Sequence, residues 1–290
     1  MVSALQNLIS ELEQNDLLDE PDRLRERIDV LDRLDTHFPD GANVEVEGEA
    51  ELHRRARAIR ARLEAVNHEL YQAIRHDIQR EAGQASLLQW SAASSRDERA
   101  LSEEGGDSYD YLDELISGVL QFDEPDDMDV EVAAEMVFYQ PTPARAIFDL
   151  IRRVAFTPRD VLIDLGSGLG HVPLLVAICT GASSIGIELE AVYADCARRC
   201  ARALNLRRVT FIQQDARAAD FSNGTVFYLY TPFKGTILRT ALDALRREAA
   251  SREIRICTFG PCTSVVAEES WLEAVGPVQM HRVAIFRSRQ

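Results

Sequence analysis

The sequence has almost no lysine, since Lys234 is the only one among its 32 basic residues. It also lacks any uninterrupted apolar run near the roughly 18 residues of a membrane-spanning helix, and its first residues do not resemble a secretory signal. The five cysteines form no C-x-x-C pair. Cys196 and Cys200 lie four residues apart, but without a second ligand pair nearby they indicate buried thiols. We expect a cytoplasmic chain without a metal site.

The negative charge is concentrated in one half of the chain. Residues 1–140 carry a net charge of -21 and residues 141–290 a net charge of +5, which together give the total of -16. This asymmetry indicates two modules. Because phosphate binding depends on cationic side chains, the first module is not expected to bind nucleic acid.

Two segments of the first half have helical periodicity. Residues 21–38 repeat apolar side chains every three or four positions and end before a Pro-Asp-Gly stop. Residues 48–82 form a longer run that ends at Gly83. Together these segments predict an antiparallel helical hairpin. The apolar seam of the second helix follows a seven-residue spacing at Leu52, Ile59, Val66 and Ala73.

The remainder of the first half predicts little regular structure. Residues 84–107 are rich in Ser, Ala, Gly and charge, which favours a loop, and a short helix is expected around 109–120. An acidic linker follows, so we expect an acidic α-helical region over 1–130. This region would act as a scaffold or lid, or pair with a second copy to form a homodimer. The alternative is an acidic docking surface for a basic protein substrate.

After residue 140, short β-branched runs alternate with helical stretches. Such alternation predicts right-handed βαβ crossovers and a doubly wound, mostly parallel sheet of the α/β class. The last run, around His281 to Arg287, has no helix after it and must join the sheet as an edge or hairpin strand. We expect this second domain to cover 131–290. The earlier strands are predicted at 161–166, 184–189, 208–213, 225–230 and 254–260.

Candidate binding residues follow three successive strands. The turn after the first strand alternates glycines from Gly166 to Gly170, so its backbone can approach a ligand closely. Glu188 ends the second strand, where a carboxylate accepts the hydroxyls of a ribose. Asp215 ends the third strand and can accept from an exocyclic amine. Each acid alone could equally be a helix cap or a surface charge, but the three together predict a nucleoside groove.

Asp164 distinguishes between nucleoside cofactors. A dinucleotide site prefers G-x-G-x-x-G, with the pyrophosphate at the helix N-terminus. Here the turn is G-x-G-x-G, and Asp164 lies two residues before it. A carboxylate at this place would repel a pyrophosphate and attract the ammonium of a methionine tail. The charge therefore favours S-adenosyl-L-methionine, with S-adenosyl-L-homocysteine as product.

The sequence of the turn resembles that of the class I S-adenosylmethionine-dependent methyltransferases. Asp164-Leu165-Gly166-Ser167-Gly168-Leu169-Gly170-His171, followed by Gly186-Ile187-Glu188, is most similar to bacterial methyltransferases of unassigned substrate and to the histone-lysine methyltransferases that lack a SET domain. The resemblance covers about residues 136–288. It implies a seven-stranded sheet whose last strand is antiparallel.

The resemblance also implies roles for individual residues. Residues 136–143 match the family's lead-in segment, from which Tyr139 and Thr142 would reach the methionine end. Thr142 could also cap the following helix. The side chain of His171 would contact the methionine carboxylate, and Leu189 and Ala216 would lie on the adenine faces. The implied cofactor site comprises Tyr139, Thr142, Asp164, Gly166, Ser167, Gly168, Gly170, His171, Glu188, Leu189, Asp215 and Ala216.

The end of the fourth strand is expected to face the methyl acceptor. Nucleobase methylators carry an Asp/Asn-Pro-Pro-aromatic sequence there, whereas this chain has Tyr230-Thr231-Pro232-Phe233. Relatives that act on histone lysine carry asparagines where Leu229 and Tyr230 stand. Tyr230 and Phe233 could form an aromatic wall around an amine. We expect the acceptor to be a protein side chain or a small molecule, with Tyr230 as the candidate residue at the catalytic site.

Two other functions fit parts of the pattern. A nicotinamide-dependent oxidoreductase would use the same sheet, but the glycine spacing and Asp164 disfavour it. A cofactor-binding pseudoenzyme would keep the groove and use its N-terminal helices for protein interaction.

Overall fold

The computed structural model describes residues 2–39, 47–97, 109–122, 140–231 and 233–289. The chain divides into two compact units, Met1–Ile74 and Arg75–Gln290. The boundary predicted between residues 130 and 131 lies outside the described residues. None of the described helices is both long and apolar enough to span a membrane.

The first unit is a helical hairpin with one more helix before it. α1 (Val2–Glu13) leads through two 3₁₀ turns into α2 (Leu24–His37), and α3 (Glu47–Gln79) begins in this unit. The Arg27 side chain contacts Asn67, and the Arg60 side chain contacts Asp35. Residues early in α2 thus meet residues late in α3, which confirms the predicted antiparallel hairpin.

Arg27 is completely buried in the first unit. Its guanidinium donates to the Asn67 side chain at 2.6 Å and to the carbonyl oxygens of Leu18 and Glu20 at 2.9 and 2.5 Å. These neutral acceptors join α3 and the turns before α2 to one side chain. Burial lowers the pKa of Arg27, but the hydrogen bonds supply the partners that a buried charge requires.

The buried seam of α3 drifts away from the predicted seven-residue spacing. Val66 is half-buried and Ala73 is exposed, although the spacing predicts both in the seam. The reason is that a straight α-helix has 3.6 residues per turn, so a strict heptad rotates off the contact face. The buried residues are Leu52, Ala56, Ile59, Leu63, Asn67, Ile74 and Ile78.

The loop predicted for 84–107 is wrong over its first part. α4 (Gly83–Asp97) is a helix that packs against the helices on both sides of the first strand, with Leu87 completely buried. Its Ser and Ala residues suit a helix packed at close range as well as a loop. Residues 98–108 lie outside the described part. α5 (Tyr111–Leu120) confirms the short helix predicted around 109–120.

The second unit contains a seven-stranded sheet in the order β3-β2-β1-β4-β5-β7-β6. Strands β1 to β5 pair in parallel, and β7 runs antiparallel between β5 and β6. This confirms the predicted fold class, including the antiparallel last strand. The strand bounds are β1 Val161–Leu165, β2 Ser183–Glu188, β3 Val209–Gln213, β4 Val226–Tyr230, β5 Arg255–Phe259, β6 Leu272–Ala274 and β7 Ala284–Ser288.

The helices that directly follow or precede the parallel strands run back along the sheet, so their N-termini meet at its carboxyl edge. This is the edge where ligands bind in open α/β sheets. A core of aliphatic and aromatic side chains fills the space between sheet and helices. The helix bounds are α6 Ala144–Val154, α7 His171–Cys179, α8 Ala191–Ala203, α9 Gly235–Ala249 and α10 Cys262–Ala267.

Candidate cofactor and acceptor site

The glycine turn joins β1 to α7 at the carboxyl edge. Gly166, Gly168 and Gly170 have φ angles of 80°, 52° and 87°, in the left-handed region that side chains disfavour. The backbone N–H groups of Gly166 and Ser167 donate to the Ile187 carbonyl at 2.8 and 3.0 Å. The turn is therefore held against β2. The Ser167 hydroxyl is buried without a hydrogen-bond partner among the described residues.

Asp164 lies near the end of β1, in register with Gly186 on one side and Tyr228 on the other. Its side chain is buried, and none of the described residues donates a hydrogen bond to its carboxylate. Burial, and then the nearby Glu188 carboxylate, raise the pKa of Asp164 well above its usual value. A buried carboxylate without a donor is costly, so this position suits a cationic ligand.

Glu188 ends β2 and is oriented by the backbone. Its Oε2 accepts from Gly168 N at 2.7 Å, and its Oε1 accepts from Glu190 N at 3.0 Å. Burial raises the pKa of Glu188. Each carboxylate oxygen retains a lone pair, because an ionised carboxylate has about four acceptor sites. The residue is thus fixed beside the glycine turn with acceptors left over for ligand hydroxyls.

Asp215 lies at the predicted edge, but its carboxylate is already engaged. It caps the 3₁₀ turn Ala216–Ala218 by accepting from Arg217 N at 2.8 Å, and it pairs with the Arg217 guanidinium at 2.6 Å. This ion pair lowers the pKa of Asp215. Gln214 N donates to the Glu188 carbonyl at 2.9 Å, so the ends of β2 and β3 meet. The sequence did not predict the pairing with Arg217.

Two apolar residues predicted for the adenine faces differ in exposure. Leu189, which directly follows β2, is 42% exposed, whereas Ala216 is buried. The exposed Leu189 side chain, next in sequence to Glu188, offers an apolar surface to a ligand ring. Tyr139, the other predicted residue of the lead-in segment, lies outside the described residues.

One alternative expected Thr142 to cap α6, but its side chain makes no capping hydrogen bond there. Its buried hydroxyl lies 3.1 Å from the hydroxyl of Tyr228, on β4. Instead, Asp113 of α5 caps α6, because its Oδ1 accepts from Ala144 N at 2.8 Å. The Tyr109 hydroxyl donates to the Pro141 carbonyl at 2.7 Å. The N-terminal end of α5 therefore holds the segment that carries Thr142.

His171 begins α7 and contacts the ring of Phe122, with ring centroids 4.8 Å apart. Burial lowers the pKa of His171 to about 4. The imidazole is therefore neutral at pH 7 and can donate or accept a hydrogen bond without adding charge. Thr142, Leu169 and His171 line a cavity of about 430 Å³, and residues of α5 line it as well.

Of the two residues predicted to form an aromatic wall at the end of β4, only Tyr230 is half-exposed. The Tyr230 ring packs on Phe259 with centroids 4.9 Å apart. Phe233 is buried in the sheet–helix core, so it does not form part of a wall. The thiol of Cys262 is also buried and donates to the carbonyls of Leu229 and Phe259 at 3.5 Å. Burial raises its pKa, as expected for a structural cysteine.

Sequence reasoning missed Tyr228 and Asp113. Tyr228 shares its strand face with Tyr230, two residues on, and this alternation was the available signal. Desolvation raises the pKa of Tyr228 well above its usual value, so its hydroxyl stays protonated. The signal for Asp113 was weaker: the Asp110-x-x-Asp113 spacing indicates a capped α5, but nothing in it reveals the bond to Ala144.

Comparison with known proteins supports the resemblance in the motif region. The family described as "Histone methylation protein DOT1" matches residues 132–227, about a third of the chain. This match confirms the predicted resemblance over the glycine turn, Glu188 and Asp215. No curated protein matches the chain.

Several solved structures are similar to about half of the chain. An RNA methyltransferase from Salinibacter ruber in complex with S-adenosyl-L-homocysteine is 24% identical, covering 51% of this chain and 92% of its own, with a TM-score of 0.42. A precorrin-6y C5,15-methyltransferase from Geobacter metallireducens is 16% identical, covering 56% and 95%, with a TM-score of 0.41. TrmN from Thermus thermophilus is 18% identical, covering 51% and 49%, with a TM-score of 0.40.

Proposed function

We propose that this protein is an S-adenosylmethionine-dependent methyltransferase. The observation that carries the proposal is the Asp164 carboxylate, which is buried beside the glycine turn without a hydrogen-bond donor among the described residues. An ammonium group would satisfy it. The residues around it fit the rest of the cofactor, since oriented acceptors at Glu188 suit ribose hydroxyls and the exposed Leu189 suits a purine face.

The methionine end and the adenine end of the cofactor are assigned to residues on different observations. Thr142 and His171 line the cavity next to the glycine turn, and the Ser167 hydroxyl within the turn has no partner among the described residues; we assign all three to the methionine end. A neutral His171 would donate a hydrogen bond to the methionine carboxylate without repelling the neighbouring ammonium. At the other end, Asp215 would accept from the adenine amine while it stays paired with Arg217, which leaves it fewer free lone pairs.

When bound, the cofactor supplies a methyl group on a sulfonium: the acceptor's lone pair forms the new bond, and the electrons of the broken carbon–sulfur bond return to sulfur. The chain's own residues position the two reactants and exclude water. Tyr230 would form one side of the acceptor site, with its ring held by Phe259. No general base is required for an acceptor that arrives unprotonated.

Titration calorimetry with S-adenosyl-L-homocysteine and with NAD tests the cofactor assignment. We expect the wild type and the exposed control Glu273→Ala to bind the former alone, and Asp164→Ala to lose the binding. Binding of NAD in its place would contradict the proposal and favour an oxidoreductase.

Methyl transfer is tested by incubating the full chain with radiolabelled cofactor and a fractionated cell extract. Counts are expected in the protein or small-molecule fraction and absent with Asp164→Ala. Cofactor binding without transfer to any fraction would contradict the enzymatic activity and indicate a pseudoenzyme.

A further inference from the structure

Three loops at the carboxyl edge form a connected rim beside Tyr230. They are residues 231 and 233–235 after β4, residues 260–261 after β5, and residues 275–283 between β6 and β7; we refer to them as the acceptor-side rim. Gly260 N donates to the Met280 carbonyl at 2.8 Å, and Cys262 N donates to Thr231 Oγ1 at 3.1 Å. These bonds hold the three loops together.

The rim adjoins the ring that the proposed function places at the acceptor site. A Cβ atom on Gly260 would lie 3.0 Å from Thr231 Oγ1 and 3.1 Å from the Tyr230 ring. Gly260 also has a φ of 77°, which a side chain would strain. The close approach brings the Met280 loop, through its bond to Gly260, next to Tyr230.

The rim carries only positive charge. Its sequence contains no Asp or Glu, although the whole chain has a net charge of -16. Lys234 and Arg282 are both exposed, and neither forms an ion pair within the described part of the chain. α9 starts directly after Lys234 without a side-chain cap, so the partial positive charge of this helix end adds to the same field.

The rim also exposes apolar side chains. Val275, Val278 and Met280 are 43%, 41% and 54% exposed. They are three of the seven large apolar residues that are exposed in the described part, and they lie within six consecutive positions. Single exposed apolar residues are ordinary, but a cluster marks a contact surface.

We propose that the acceptor is a small molecule that carries an anionic group next to an apolar body, and that the acceptor-side rim recognises both parts. This inference rests on the proposed function. Lys234 and Arg282 attract the anion, and Val278 and Met280 cover the apolar part. A basic protein tail would be repelled at this rim. RNA would need several phosphate contacts, because each neutralised phosphate contributes separately to affinity, and the rim offers two cations.

A pair of fluorescent probes separates the anionic contribution from the apolar one. 8-Anilinonaphthalene-1-sulfonate is anionic and apolar, and N-phenyl-1-naphthylamine has the same aromatic body without the sulfonate. We compare the wild type with Lys234→Glu/Arg282→Glu. The matched control is Arg159→Glu/Arg207→Glu, which changes the net charge equally at exposed positions before β1 and β3.

We expect the rim variant to weaken binding of the anionic probe at least tenfold and binding of the neutral probe less than twofold, with the control unchanged for both. Met280→Ser should weaken both probes. Unchanged thermal melting of each variant shows that it is folded. If the rim variant does melt early, Lys234→Gln/Arg282→Gln provides the same comparison with a smaller charge change.

Two results would overturn the inference. One is an anionic probe that binds the rim variant as tightly as the wild type. The other is displacement of the probe by a short RNA whose affinity falls with salt as steeply as four or more phosphate contacts require. That result would indicate a nucleic-acid surface. S-Adenosyl-L-homocysteine affinity is measured on the same variants and should stay unchanged. If the wild type itself does not bind S-adenosyl-L-homocysteine, the proposed function is contradicted, and so is the role of the rim ligand as methyl acceptor. The probe result then decides only whether the rim binds an anionic apolar molecule.

Discussion

The hydroxyl group of Thr142 lies 3.1 Å from the hydroxyl group of Tyr228. The two residues are 86 positions apart, and both are buried. Tyr228 on β4 is in register with Asp164 on the neighbouring β1, so this hydrogen bond connects the segment before α6 to the strand that pairs with the one carrying the proposed ammonium site.

We predict that Thr142→Val and Tyr228→Phe are coupled. Each single change leaves the remaining hydroxyl buried without its partner, which costs about 1–3 kcal/mol. The double variant removes both groups and should lose less stability than the sum of the two single losses, by about 1 kcal/mol. Urea unfolding followed by circular dichroism measures the three variants. Strictly additive losses would show that the two hydroxyls do not interact.

Asp113 is predicted to stabilise the same segment from α5. Its Oδ1 accepts from Ala144 N and its Oδ2 accepts from Asp110 N at 2.7 Å. Loss of a helix cap costs about 0.5–2 kcal/mol, so Asp113→Ala should lower the melting temperature by several degrees, while Asp113→Asn, which keeps one acceptor, should lower it less. Glu114→Ala, also on α5, is the control. Equal melting of Asp113→Ala and the control would contradict the capping role.

Gly186 is predicted to be required for space. A Cβ atom there would lie 2.5 Å from the Phe211 ring and 2.6 Å from Ser167 Oγ. Gly186→Ala should therefore destabilise the protein by about 1–3 kcal/mol, the usual cost of overpacking. Phe211→Leu in the same chain should recover part of the loss.

Gly48 in α3 is the matched control for this change, since a Cβ atom added to it would meet nothing within 4 Å. Gly48→Ala should be neutral or stabilising by about 0.5–1 kcal/mol, because alanine loses less conformational entropy in a helix than glycine. The same effect of both glycine substitutions on urea unfolding would show that Gly186 is not required for space.

The fold features that were predicted correctly, including which sheet edge carries the candidate residues, are those with a local signal. The glycine turn, Asp164 and Glu188 lie within one βαβ unit, and alternation of strands and helices predicts which edge they share. The number of strands came from the family resemblance, and no strand order was predicted; the three-residue strand β6 is too short to be recognised from its own pattern.

The features that were missed depend on contacts between distant residues or on ambiguous composition. Asp113 caps α6 from 31 positions away, and no local pattern specifies that partner. The sequence predicts Phe233 at the acceptor site, but its side chain is buried in the sheet–helix core. The composition of α4 predicts a loop, but Ser and Ala occur in helices as well as in loops. The packing of this segment on other helices makes it a helix.

The Asp164 carboxylate has opposite effects on stability and on ligand binding. Its pKa is raised in the folded chain, so the folded state holds the proton more tightly than the unfolded state. Its contribution to stability therefore falls as pH rises from the ordinary value of about 3.9 through the raised value. At neutral pH the charge is a cost that an ammonium ligand would offset. Asp164→Asn should stabilise the ligand-free chain at neutral pH.

Calorimetric titration of the wild type and Asp164→Asn with S-adenosyl-L-homocysteine over a series of rising pH values tests this role of Asp164 most directly. Because the pKa of Asp164 is raised, we expect wild-type affinity to rise with pH as Asp164 ionises. Asp164→Asn should lack this rise, bind at least tenfold more weakly at the highest pH and melt at a higher temperature without ligand. Equal affinities with the same pH dependence in both proteins would show that Asp164 does not bind the ammonium group.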